Sequence, residues 1–414
     1  MSQFLSVGSI LLSTLIFLAG QGLAGTLLPV RAHLAHFSDF GIGLMGSAYF
    51  IGFIAGCYAG PRLLARVGHS RTFAAAAGLV AAVTLMMSLA VSEPAWILLR
   101  GLFGLGAANV YMVIESWLND RATNATRGRI FAGYLLVNFT GLIIGQWSFI
   151  AGRPLSQTLF ILAAIFYALC LIPLGLTRIP QPRAVEVPTL RPARMFAISP
   201  VGVAGCVAVG FANAACWTFL PVYAHDQNLT RGLLAGFMSA FTLGGALIQL
   251  PVGRLSDRMD RRLIIAAAAC AAALLGVALW YFGGRSQTAT LVLIALFGMA
   301  ALPIYGLSVA HANDKLPREM FVEASATLLL INAIASVAGP VIAATVTDRF
   351  GMPTLFLFTA SVHLALATFA LGRVRMAASP PHGERYAPMP AQASPAALEL
   401  DPRGEKSSNQ VEAV

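Results

Sequence analysis

The sequence predicts an all-α polytopic membrane protein, with twelve transmembrane helices arranged as two pseudo-symmetric six-helix bundles. Three observations carry that expectation. First, 57% of the 414 residues are hydrophobic and 11% are charged, with a mean hydropathy of +0.76. A soluble domain carries about 25% charged residues, so too little polar surface exists here to cover a water-soluble particle. Second, apolar runs near the ~20 residues that cross a bilayer recur along the chain. Third, the second half repeats the first in register.

Taken in order, the first six spans fall near 9–30, 42–60, 73–91, 95–117, 130–150 and 157–177. The first is not a cleavable signal: Met1 to Leu5 carry no positive charge, and the apolar run exceeds an h-region. Residues 1–178 then form an N-terminal bundle. Residues 179–198, with Pro180, Pro182, Pro188 and Pro192, read as a polar linker. The second six spans fall near 199–222, 232–252, 263–282, 288–310, 323–346 and 354–373, giving a second bundle over 199–374. Residues 375–414 are rich in Pro, Ala and Glu without helical apolar period, and are expected to be a disordered tail.

An even number of spans puts both termini on one side. Connections on that side, with the tail, hold 21 Lys or Arg; the opposite connections hold five, Arg31, Arg153, Arg231, Arg285 and Arg349. The positive-inside rule then expects both termini in the cytoplasm. The same distribution accounts for the net charge of +10. Cations cluster in connections and never on an aromatic-interleaved face, which sets nucleic acid aside.

The repeat is specific. Thr26-Leu27-Leu28-Pro29-Val30-Arg31-Ala32-His33 aligns with Thr218-Phe219-Leu220-Pro221-Val222-Tyr223-Ala224-His225, 192 residues later. At that offset Ser47-Ala48-Tyr49 meets Ser239-Ala240-Phe241, Gly52 meets Gly244 and Arg66 meets Arg258. At offset 194, Leu102-Phe103-Gly104 meets Leu296-Phe297-Gly298, and Asn119-Asp120-Arg121 meets Asn313-Asp314-Lys315. Tyr111 meets Tyr305, Asn138 meets Asn332 and Gly145 meets Gly339. Shared membrane composition yields scattered Leu and Ala coincidences, not Pro, His, Arg and Asn-Asp in register. A parallel duplication of six spans places a site between the halves near the midplane.

Other chemistry finds no support. Cys57, Cys170, Cys206, Cys216 and Cys270 all lie in apolar runs, which suits buried small residues rather than disulfides or zinc. Gly41-Ile42-Gly43-Leu44-Met45-Gly46 matches a dinucleotide-binding pattern, but no strand precedes it. No P-loop, paired carboxylates, metal-ligand spacing or Ser/His constellation occurs at a common depth. No enzyme activity, cofactor or metal is expected.

The connection after the eighth span reads Gly253-Arg254-Leu255-Ser256-Asp257-Arg258-Met259-Asp260-Arg261-Arg262. It resembles the Gly-x-Leu-x-Asp-Arg-x-Gly-Arg-Arg signature of the major facilitator superfamily, with Asp260 in the place of the second Gly. The first-half counterpart, through Arg66 and Gly68 to Arg71, is degenerate, with Ala65 where the Asp would stand. Arg100, Gly104 and Gly106 resemble the fourth-span Arg-x-x-x-Gly-x-Gly motif. The resemblance runs from residue 9 to about 374 and is nearest a bacterial subgroup with mostly unassigned substrates. It implies a secondary transporter working by alternating access, commonly proton-driven, with a cavity lined by spans 1, 4, 7 and 10. Drug–proton antiporters of that family often carry Gly-Pro in the fifth span. Here Gly145-Gln146 stands there, and Gly339-Pro340 lies in the eleventh.

Polar residues present in only one half are the better candidates for chemistry. Arg100 faces Ile294 across the repeat, and Glu115 faces Val309. Arg100 lies about 7–9 Å inside its helix end at 1.5 Å per residue. It either snorkels to the interface or serves the cavity. Glu115 either forms an ion pair with Arg127, Arg129 or Arg66, or takes up a proton. Gln21, Tyr111, Asn138, Gln146, Asn213, Trp217, Tyr305 and Asn332 either line a cavity for a weakly polar solute or make helix–helix contacts. His363, on an outer helix, reads as a packing residue or a proton relay.

The resemblance further implies a cytoplasmic gate on Arg66, Gly68, Arg71, Arg127, Arg129, Gly253, Asp257, Arg258, Arg261, Arg262 and Glu323. In one arrangement Arg66 attracts Glu323, which replaces the pseudo-equivalent Arg129, while Asp257 faces Arg127 and Arg129. The resulting expectation is a monomeric, proton-coupled transporter of a small organic solute. Drug–proton antiport and a non-transporting sensor of the same fold are the alternatives.

Overall fold

A computed structural model describes residues 2–123, 126–177, 182, 190–317, 320–376, 386, 394 and 396. Among the described residues, twelve helices long and apolar enough to cross a membrane follow one another. The first half contains α1 (Val7–Leu34), α2 (Asp39–Val67), α3 (His69–Leu89), α4 (Glu93–Arg121), α5 (Arg127–Ala151) and α6 (Thr158–Gly175). The second contains α7 (Pro200–Asp226), α8 (Arg231–Ser256), α9 (Arg261–Phe282), α10 (Gln287–Asn313), α11 (Glu323–Phe350) and α12 (Met352–Met376). A short helix, Pro192–Ile198, precedes α7. Most of 375–414, and of the linker before Leu190, lies outside the described residues.

Helices are obligatory here, because lipid offers no partner for a free backbone N–H or C=O. Their ends are marked in the sequence. The Ser38 hydroxyl caps α2 by accepting from the Gly41 amide at 2.9 Å, and the Thr230 hydroxyl caps α8 by accepting from Leu233. Gly68 and Gly351 adopt positive φ of 81° and 89° and let α2 turn into α3 and α11 into α12. Pro303 lacks the N–H that continues a helix, and α10 is interrupted between Ala301 and Ile304.

Packing repeats with the sequence. In the first half α1 lies on α5, α2 on α4 and α3 on α6; in the second α7 lies on α11, α8 on α10 and α9 on α12. Glycines kept by the repeat occupy these seams. A Cβ on Gly52 or Gly104 would strike the facing backbone of α4 or α2, and one on Gly244 or Gly298 that of α10 or α8. Gly145 and Gly339 face the backbones of α1 and α7 in the same way. Close approach through small residues is how membrane helices gain contact without a hydrophobic driving force.

Candidate functional site

The halves meet along α1–α7, α2–α11 and α5–α8. Their contacts concentrate at the face opposite the chain termini, here called the far face. There His33 Nε2 lies 2.9 Å from Asp226 Oδ1, joining the ends of α1 and α7. Arg231 of α8 donates to the carbonyls of Gly152 and Ile150. Gly43 and Gly46 of α2 abut Pro340 of α11, and the Ser47 hydroxyl donates to the Val337 carbonyl. Deeper in, Gln146 donates to the Thr242 hydroxyl at 3.0 Å and accepts from the Ser239 hydroxyl at 3.0 Å. A proline at 146 would lack that amide, so the departure from Gly-Pro supplies a tie between halves.

Beneath this seam lies a cavity of about 200 Å³, bounded by α1, α2, α4, α5, α7, α8 and the break in α10. Gln21, Arg100, Tyr111, Asn138, Gln146, Asn213 and Trp217 all line it. Its remaining wall is mainly apolar, with Leu18, Met45, Phe50, Leu142 and Met238. The volume lies below the roughly 300–1,000 Å³ of clefts that take drug-sized ligands.

Arg100 is the one ionised side chain among the described lining residues. Its guanidinium carbon lies 4.8 Å from the ring centroid of Tyr49 and 5.0 Å from that of Phe103. Faces of aromatic rings attract a cation but do not neutralise it. The side chain does not snorkel outward; it faces inward among rings. Gln21 shares the cavity wall with Tyr49 and Tyr111. Asn213 is 5% exposed, and neither its amide nitrogen nor its oxygen has a partner among the described residues, so both are available to a molecule in the cavity.

Two expected lining residues lie elsewhere. Tyr305, just past Pro303, points into the packing of the second bundle and is 1% exposed. Asn332 is buried on α11, away from the cavity lining. Glu115 is fully buried on α4, nearer the terminal face, and accepts from the Tyr134 hydroxyl at 2.7 Å. It also accepts from the Ser394 backbone amide at 2.8 Å and from the Ser394 hydroxyl. Three described residues of the expected tail, Tyr386, Ser394 and Ala396, touch the bundle. Tyr386 packs beside Gly253 and Gly306, and its amide donates to Asp257 at 2.7 Å.

The terminal-face motif is organised differently from the expected latch. Arg261 holds Asp314 at 2.6 Å, Asp257 at 2.9 Å and the Ser256 hydroxyl at 2.8 Å, tying α8, α9 and α10 together. Arg262 grips Asp260 at 2.7 Å and the Arg373 carbonyl at 3.1 Å. Asp260 also caps α9 through the Arg262 amide, which explains an acid where glycine is usual. Asp257 therefore pairs within its own half rather than with Arg127 or Arg129. Glu323 lies 3.4 Å from Arg191 of the linker, not paired with Arg66, which is exposed. The reason is geometric: α2 and α11 meet through Gly43 and Pro340 at the far face, whereas Arg66 and Glu323 stand at their other ends. Gly68 makes a turn, and Arg71, Arg129 and Arg258 are surface cations. Arg127 is buried.

His363 is fully buried on α12, bonded to the Thr359 carbonyl at 2.7 Å with its ring edge-on to Phe297. That is a packing environment. Sequence reasoning missed Tyr49, Thr218, Thr242 and Gln249 in the cavity, and Ser239, His33 and Asp226 at the seam. The one signal for Tyr49 was its replacement by Phe241 in the repeat.

A family model described as Major Facilitator Superfamily matches residues 10–340 and 207–402. The uncharacterized MFS-type transporter YcaD of Escherichia coli K12 is 26% identical over 367 residues, covering 87% of this chain and 94% of its own. Among solved structures, a point mutant of the nucleoside transporter NupG is similar with a TM-score of 0.76 at 14% identity, covering 89% of this chain and 100% of its own. A D-xylose-proton symporter is similar with a TM-score of 0.73 at 14% identity, covering 92% of this chain and 99% of its own.

Proposed function

The chain belongs to the Major Facilitator Superfamily of transporters, and from that premise we propose that it carries a small organic anion, coupled to protons, by alternating access. One observation carries the choice of substrate: the described lining of the central cavity holds a single formal charge, the Arg100 guanidinium, among apolar and neutral hydrogen-bonding groups. An intramembrane Arg costs about 2.5–3.5 kcal/mol on insertion scales. A carboxylate entering the cavity offsets that cost and matches the guanidinium fork in a bidentate pair. Gln21, Asn138, Asn213 and Gln146 supply directional hydrogen bonds, while Leu18, Met45, Phe50 and Trp217 receive the apolar body.

Glu115 is the group we assign to the proton. It is fully buried on the cavity helix that also bears Arg100, and the Tyr134 hydroxyl fixes one of its oxygens. Co-transport of an anion with a proton moves no net charge. The cation bias supports placing the termini in the cytoplasm, which makes the far face periplasmic and the present conformation closed to the periplasm.

Proteoliposome flux tests this reading with matched carboxylate, neutral and cationic solutes. Carboxylates are expected to accumulate under an imposed pH gradient and the other two classes are not. Glu115→Gln should keep exchange of internal for external solute at equal concentration but lose gradient-driven accumulation. Uptake of neutral solutes in preference to anions would refute the substrate assignment. Undiminished accumulation by Glu115→Gln would refute the coupling assignment.

A further inference from the structure

We infer that His33, His225 and Asp226 form a divalent transition-metal site that clasps the two halves together at the far face. His33 ends α1, while His225 and Asp226 end α7, so the site exists only while these ends are apposed. The duplication explains their meeting. His33 and His225 are repeat partners 192 residues apart, and the pseudo-symmetry axis between the halves brings their rings to 5.8 Å, centroid to centroid.

The geometry fits metal coordination. One ligand atom from each residue lies within 4.8 Å of the other two. His33 Nε2 is 2.9 Å and His225 Nδ1 is 3.7 Å from the same oxygen, Asp226 Oδ1. Tetrahedral zinc with bonds of about 2.0–2.2 Å separates neighbouring ligand atoms by about 3.3–3.5 Å. The two observed distances bracket that value and no ligand pair lies more than 4.8 Å apart, so side-chain adjustments without backbone movement seat an ion.

A second observation points to a ligand independently. His225 Nδ1 is buried without a hydrogen-bond partner among the described residues, and an orphaned buried nitrogen of this kind carries a desolvation penalty. An ion would use its lone pair. Side chains of the three residues remain about a third exposed (32%, 37% and 31%), which leaves solvent access for a fourth ligand. Asp39 lies within electrostatic range of His33 and Asp226 and adds negative potential that attracts a cation. Two imidazoles and one carboxylate select zinc or its neighbours over magnesium or calcium, which prefer all-oxygen sets.

The consequence is regulatory. A ligand shifts an equilibrium only by its differential affinity for the two states, and this donor set spans both halves in one state alone. Zinc on the far face therefore holds the transporter closed on that side and slows its cycle, whatever the solute.

Cobalt(II), which reports tetrahedral nitrogen and oxygen ligation through visible absorption, tests the site on purified protein. The full chain is expected to give one tetrahedral cobalt spectrum per molecule, displaced by zinc, with a higher Tm in zinc. His33→Ala and His225→Ala should each lose the spectrum and the zinc-dependent rise in Tm, while Arg31→Ala, a neighbour in α1, keeps both. A spectrum persisting in the His33→Ala/His225→Ala double variant would overturn the site. Should either single variant fail to fold, His33→Gln and His225→Gln keep the ring positions polar and serve instead. The clasp itself is tested by thiol labelling of Ser47→Cys, buried at the closed seam. Zinc should slow labelling at least tenfold, and an unchanged rate would overturn the regulatory claim.

Discussion

Among the described residues that line the cavity, Arg100 carries the one formal charge. Arg100 was conspicuous in the sequence because its repeat partner is Ile294, so symmetry did not require a charge there. What the sequence did not reveal is which way it points. Its two outcomes, snorkelling outward or facing the cavity, differ by a rotation of the helix, and the close α2–α4 seam at Gly52 and Gly104 sets that rotation. Tyr49 and Phe103 then receive the cation on their ring faces. Arg100→Gln should weaken binding of a carboxylate solute by at least tenfold, about 1.4 kcal/mol, with little loss of Tm. Arg100→Lys should recover only part of it, because an ammonium lacks the planar fork. Binding calorimetry on the purified protein reads both. Equal affinity in wild type and Arg100→Gln would remove the ion pair from the account. His33, His225 and Asp226 were illegible for a different reason: no motif spacing announces ligands drawn from two halves of a duplicated chain.

At the scale of helices, the spans were legible because hydropathy and length are the two quantities a bilayer selects. Their ends were less so. The second span was expected to end near residue 60, yet α2 continues to Val67, carrying Arg62 and Arg66 beyond the apolar stretch. Hydropathy falls there, but the helix does not stop until Gly68 supplies a positive φ. The interruption at Pro303 was equally hidden, since the tenth segment is apolar on both sides of it. Repeat-kept glycines mattered for packing, as their presence in both halves implied. A side chain at Gly104 would meet the Tyr49 and Phe53 backbone, and one at Gly298 the Phe241 backbone. Gly104→Val and Gly298→Val should each destabilise their bundle by about 1–3 kcal/mol through overpacking, seen as a lower Tm in detergent. Gly78→Val, with open space around it, is the control. Indistinguishable melting of all three would contradict the seam.

At the scale of the whole molecule two bundles meet at the far face, and under the proposed alternating-access cycle the contacts there are what must break. Only some of that interface was readable in the sequence. Duplication implied that the halves meet around a site near the midplane, but not that Gln146 would hold both Ser239 and Thr242. Interfaces that open and close are drawn from marginal contacts, because a large differential affinity would trap one state. A few neutral hydrogen bonds, each contributing about 0.5–1.5 kcal/mol, suit that requirement better than a buried ion pair. Covalent closure should therefore arrest transport where single substitutions do not. With the native cysteines replaced, Ser47→Cys/Val337→Cys bridged by a short methanethiosulfonate reagent is expected to lose nearly all flux and regain it on reduction. Each single variant, treated identically, should retain most of its flux, because neither residue lines the cavity and the His33–Asp226 and Gln146–Thr242 contacts stay in place. Continued flux through the bridged double variant would mean that α2 and α11 do not separate here, and that the halves move by some path other than opening this seam.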